Sequence, residues 1–141
     1  MDVDEIRDKC KEILDNLSSV VIGYRQELKY ILTSLLANGH ILLEGVPGIA
    51  KTTIARALTR LLGLSEDKIV VINNVRYKGF SRIQFTPDLM PGDIIGSLVY
   101  NPKTLNFEPR LGPIFAFIVL ADEINRATPR TQSAMLQAMQ R

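Results

Sequence analysis

Cysteine is nearly absent: Cys10 stands alone in a chain of 141 residues, so no internal disulfide can form. It falls on the apolar side of a predicted helix, the setting of a buried, inert thiol rather than a reactive one. Aromatic residues make up only 6% of the chain, too few for the stacking platforms of a single-strand binder. Charge is close to balanced, with 17 Lys and Arg against 15 Asp and Glu. A net charge of +2 argues for neither a nucleic acid nor an anionic membrane as partner. The longest apolar run, Ile114 to Ala121, is far too short to span a bilayer. The acidic start (Asp2, Asp4, Glu5) has no signal-peptide form, so the cytoplasm is the expected location. Internal repeats and low-complexity tracts are missing too. What remains is the profile of one ordinary globular domain, 46% apolar and 23% charged, long enough to bury a core.

Two short stretches carry chemistry. The first is Gly45-Val46-Pro47-Gly48-Ile49-Ala50-Lys51-Thr52, which follows the strand-like apolar run Ile41, Leu42, Leu43. In a phosphate-binding loop, glycines let the backbone fold so that successive N–H groups point at phosphate oxygens. A helix opening right behind the loop adds its free N–H groups and positive dipole end. A lysine then reaches the β- and γ-phosphates, and the next hydroxyl residue coordinates Mg²⁺; Lys51 and Thr52 hold those places. The helix behind them is marked by Ile54, Ala55, Leu58, Leu61 and Leu62, with Gly63 as its stop. The strict pattern has glycine before the lysine, where this chain has Ala50.

The second stretch is Phe117-Ile118-Val119-Leu120-Ala121-Asp122-Glu123, an apolar run closed by two acids. By itself it also fits a buried strand leaving its sheet for solvent. Beside Lys51 and Thr52, the pattern assigns Asp122 to the Mg²⁺ shell and Glu123 to polarising an attacking water.

Elsewhere, Val3, Ile6, Cys10, Ile13, Leu14 and Leu17 predict a first helix, with Asp2 and Glu5 as a capping-box-like start and a break at Ser18-Ser19. Tyr24, Leu28, Ile31, Leu32, Leu35 and Leu36 predict a second, ending at Asn38-Gly39. His40 opens the expected strand before the loop and is given no role. Ile69 to Ile72 is β-prone, Asn73-Asn74 is turn-prone, and Arg82 to Phe85 reads as a further strand. The positive charges Arg76, Lys78 and Arg82 fit a solvated face. Ser97 to Asn101 and Leu105 to Glu108 alternate as the arms of a hairpin with Pro102-Lys103-Thr104 at its tip. Thr128-Pro129 is a helix N-cap and first-turn pair, and the helix runs on through Met135, Leu136 and Met139.

From about Val20 onward the chain resembles the MoxR family of AAA+ ATPases, in the clade with a β-hairpin insert before the Walker B strand. The matching words are GHILLEGVPGIAKTTIARAL (Gly39 to Leu58), RIQFTPDLMPGDIIGS (Arg82 to Ser97), the GPIFA run from Gly112, and LADEINRA (Leu120 to Ala127). Alanine before the lysine is similar to what that family shows. The resemblance implies an α/β P-loop NTPase fold, a three-layer sandwich with a parallel sheet, here incomplete. Residues 1–19 would be an N-terminal helix and 20–141 a partial AAA+ core.

Residue by residue, the resemblance implies that Gly45, Val46, Pro47, Gly48, Ile49, Ala50, Lys51, Thr52 and Thr53 cradle ATP, with Thr52 and Asp122 on the Mg²⁺ side. Glu123 and Lys51 would be the catalytic residues. Val21, Ile22 and Gly23 fall where such proteins approach adenine, with Tyr24 at a usually polar position. Asn125 and Arg126 fall near a subunit interface, although a solvent-facing helix-cap cation fits Arg126 equally well. The hairpin would contact a protein client, and the complete protein would form a homo-oligomeric ring. The family's sensor strand, its arginine from a neighbouring subunit and its helical lid would follow Arg141. The missing strand would leave central strands short of a ladder partner. Two other readings stay open: a non-hydrolysing nucleotide or partner-binding fragment, and, less supported by composition, a nucleic-acid motor.

Overall fold

In the computed structural model, residues 2–45 and 51–140 are described. They fall into two compact units, Met1–Gly63 and Leu64–Arg141.

Helices build the first unit. α1 (Val3–Val20), α2 (Arg25–Leu36) and α3 (Lys51–Leu61) bury one apolar stripe each. Leu17 and Val21, Leu28 and Ile31, and Ile54 and Leu58 meet in a single core, with Ile13, Leu14, Leu35, Leu43 and Leu62 around it. Burying each such side chain contributes about 1.5–3 kcal/mol, which is what makes three short helices hold together.

The ends of these helices are set locally. The Asp2 backbone N–H donates to Glu5 Oε2 at 3.1 Å, the reciprocal half of a capping box. The expected break at Ser18-Ser19 does not occur. Both hydroxyls turn back onto the helix instead, Ser18 Oγ donating to the Leu14 carbonyl and Ser19 Oγ to that of Asn16. Leu17 between them is fully buried, so packing carries α1 on to Val20. Asn38 (φ +54) and Gly63 (φ +69) take the left-handed conformation that ends α2 and α3. Cys10 is half-buried on α1.

A second expectation fails nearby. Residues 39–45 form no regular element, so the strand expected at Ile41 to Leu43 is not a strand. A strand exists only through a neighbour's ladder, and this unit has none among the described residues. Leu43 packs against the helical core, while Ile41 and Leu42 are exposed.

The second unit carries the sheets. β1 (Ile69–Ile72) and β2 (Val75–Gln84) are antiparallel, joined by Asn73 and Asn74. Both asparagines have positive φ (50° and 64°), the geometry of a two-residue type I′ turn. β2 therefore starts well before Arg82, and the β-prone Ile69 to Ile72 with its asparagine turn becomes the first arm of a hairpin. Gly79 is required there: a Cβ would lie 2.5 Å from the Ser65 carbonyl oxygen.

β5 (Ala116–Asp122) lies parallel to β2, with Arg82 opposite Leu120 and Gln84 opposite Asp122. Between them in sequence, α4 (Pro91–Ile95) leads into the separate ribbon of β3 (Gly96–Asn101) and β4 (Asn106–Leu111), the hairpin insert at its expected place. A short 3-10 helix (Ile124–Arg126) follows β5. α5 (Pro129–Met139) closes the unit, its Thr128 cap accepting from the Thr131 N–H. Ile83, Phe85, Ile94, Ala127 and Met135 form the core under this assembly.

Candidate functional site

In the first unit, the described candidate nucleotide residues sit in α3, just ahead of it at Gly45, and at the turn after α1. Lys51 and Thr52 are the first described residues of α3 (Lys51–Leu61). Both side chains are half-buried and Thr53 is exposed. Gly45 is exposed ahead of them, while Val46, Pro47, Gly48, Ile49 and Ala50 lie outside the described residues. In the adenine candidate, Val21 belongs to the helical core and Ile22 projects into solvent at 83% exposure. Gly23 turns the chain with φ +89, and Tyr24 packs against the core.

In the second unit, the paired acids end β5 in a way the sequence does not announce. Along a continuing strand Asp122 and Glu123 would point to opposite faces. Instead Glu123 adopts φ 55, ψ 44, the left-handed region, which for such a side chain is strained by about 1–3 kcal/mol. The kink ends the strand and turns Glu123 toward the face that already carries Asp122. Both acids then meet residues of β2 two positions apart. Arg82 Nη2 donates to Asp122 Oδ2 at 2.6 Å and to Gln84 Oε1 at 3.1 Å, and Gln84 Nε2 donates to Glu123 Oε2 at 3.1 Å. Arg126 Nη1 donates to the same Glu123 oxygen at 2.9 Å. The ladder fixes the spacing, since the Phe85 N–H donates to the Asp122 carbonyl at 2.9 Å.

Arg82 and Gln84 are the residues sequence reasoning missed. Arg82 reads as one of three cations on a solvated face, and Gln84 has no signature at all. Only the parallel register, which sets Gln84 opposite Asp122, brings them to the acids. Arg126 pairs within its own unit, and Asn125 lies beside it in the 3-10 helix.

The donor set suits a hard divalent cation held jointly with phosphates. No group of three or more His, Cys, Asp or Glu side chains poised to hold a metal occurs among the described residues. Magnesium is typically bound by one or two oxygen ligands from the protein together with substrate phosphates. Asp122, half-buried in the second unit, is a carboxylate of that kind.

Known proteins share this arrangement of sequence. Residues 40–141 match the family described as "ATPase family associated with various cellular activities (AAA)". The chain is 47% identical over 127 residues to the protein YeaC of Bacillus subtilis, covering 90% of this chain and 35% of that one. It is 45% identical over 121 residues to "Chaperone MoxR1" of Mycobacterium tuberculosis, covering 86% and 28%. A solved structure from Cytophaga hutchinsonii, described as a candidate ATPase, superposes with a TM-score of 0.71 at 42% identity. That match covers 95% of this chain and 36% of the other. The chain thus spans about a third of the length of the relatives it matches.

Proposed function

Because this chain belongs to the MoxR family of AAA+ ATPases, we propose that it binds and hydrolyses ATP within a chaperone-like machine that remodels or matures other proteins. The observation that carries the reading is the pair of acids at the end of β5. Asp122 and Glu123 are turned onto one side of the strand by the left-handed Glu123. That pairing suits a carboxylate on a cation next to a carboxylate on a water.

The chain's residues divide the work as follows. The α3 N-terminus and the glycines ahead of it hold the phosphates through backbone N–H groups. Lys51 neutralises the β- and γ-phosphates. Magnesium, when bound, neutralises the charge that develops on the transferred phosphoryl group. Thr52 and Asp122 would hold it, and Glu123 would orient the attacking water and draw its proton. Ile22, exposed beside the Gly23 turn, takes the adenine face.

The hairpin serves as the client contact. Its register puts Leu98, Tyr100, Phe107, Pro109 and Leu111 on one face, and every one of them is exposed. Tyr100 and Phe107 stack edge to face at 5.5 Å. Ring assembly of the complete protein would bring a neighbour to Asn125 and Arg126.

The test is a pair of substitutions in the complete protein, read by ATP affinity and phosphate release. Lys51→Ala is expected to abolish nucleotide binding. Glu123→Gln is expected to keep binding and stop release. Undiminished turnover by Glu123→Gln would remove the catalytic assignment, and wild-type binding with no release would favour the non-hydrolysing reading.

A further inference from the structure

Asp122, the carboxylate assigned above to the cation, already has a cation on it. The Arg82 guanidinium lies 2.6 Å from Asp122 Oδ2, in a pair with side chains 43% and 29% exposed. The register explains why it is there. Arg82 sits opposite Leu120, two residues short of Asp122, on the face of β2 that also carries Gln84. Its side chain is long enough to run forward along that face to the acid at the strand end. Gln84 Oε1 accepts from the same nitrogen and fixes it.

A positive charge hydrogen-bonded to one oxygen of a carboxylate opposes the arrival of a second, doubly charged cation at the same group. The pair is partly open to water, so the guanidinium has somewhere to go when displaced. Resting on the reading of Asp122 under the proposed function, we propose that Arg82 and the divalent cation compete for Asp122. Arg82 holds the acid in the cation-free protein and must leave it when magnesium–nucleotide binds. Arg82 is then a positioning residue that sets how much magnesium the site demands.

The experiment uses the complete protein with a non-hydrolysable ATP analogue and Mn²⁺ as a spectroscopic stand-in for magnesium. Mn²⁺ affinity of the protein–nucleotide complex is read by electron paramagnetic resonance. Affinity for the analogue in EDTA is measured separately. Arg82→Gln is expected to tighten Mn²⁺ by about tenfold, the scale of a typical coupling between two ligands of one site. It should leave cation-free nucleotide affinity unchanged. Arg82→Lys, which keeps a charge without the planar fork, is expected to tighten Mn²⁺ less than the glutamine variant does.

Unchanged or weakened Mn²⁺ binding in both variants would overturn the competition. Equal loss of nucleotide affinity with and without Mn²⁺ would overturn it as well, by making Arg82 a phosphate ligand or a structural strut. If Arg82→Gln fails to fold, Arg82→Lys decides alone: no tightening relative to wild type sinks the inference. A wild-type protein that binds no analogue at all would instead sink the reading of the site itself.

Discussion

Ile41 to Leu43 and Phe117 to Ala121 are two apolar runs with the same strand signal, and they meet different fates. Phe117 to Ala121 lies in β5, hydrogen-bonded along its length to β2 and half-buried from Ile118 to Ala121. Ile41 to Leu43 has no ladder, and Leu42 is 76% exposed. Composition does not separate them. What separates them is a partner: a strand is a property of two segments, and only one of these has its second segment beside it.

The strongest way to break this contrast is to dissolve the supported side. Phe85 is fully buried, and its N–H closes the ladder onto the Asp122 carbonyl. Phe85→Ala should cost about 3–5 kcal/mol and loosen the strand end that carries the acids. Denaturant unfolding measures the loss, and hydrogen exchange at β5 amides should rise with it.

Thr131→Val comes next. The buried Thr131 hydroxyl donates to the Leu89 carbonyl at 2.7 Å, tying α5 to the turn before α4. Removing the donor strands that carbonyl and should cost about 1–3 kcal/mol by the same measurement. Thr128→Ala deletes the α5 cap and should cost about 1 kcal/mol, seen as fraying of the first turn by amide exchange.

Leu42→Ala sharpens the comparison from the other side. With most of the side chain in water, the change should stay within about 0.5 kcal/mol for this chain. A loss of several kcal/mol would mean that the run is held like β5 after all.

The smallest effect concerns the β3–β4 ribbon, which has no third strand. There the Asn101 amide and the Thr104 hydroxyl donate to Glu108 and hold its carboxyl below the ordinary glutamate range, against a weak opposing effect of desolvation. A lowered value in the folded ribbon means a contribution that is present above the ordinary range. It is lost as pH falls through the lowered value. Amide chemical shifts around residues 101–108 should follow that titration, and Glu108→Gln should abolish it.

Local chemistry was legible wherever a residue acts on its own neighbours. Thr128-Pro129, Gly63 and the Asp2–Glu5 start all do in the structure what their types and spacing suggest, because a cap needs only the adjacent turn. The helical stripe of Ile54 and Leu58 in α3 was legible from its spacing. The break at Ser18-Ser19 was misread, since burial of Leu17 outweighs the weak local preference of two hydroxyls. Arg82 and Gln84 were invisible as partners of the acids, because their distance from Asp122 along the chain says nothing until β2 and β5 are in register.

From the order of residues alone came the chemical vocabulary: a glycine loop running into a helix that begins with lysine and threonine, and two acids closing an apolar run. The tertiary structure alone decided which apolar run becomes a strand, that Glu123 turns left-handed, and that arginine and glutamine rest on the acids. The reason is range. Caps and turns are settled within a few residues, whereas ladders and ion pairs join segments whose meeting depends on the whole fold.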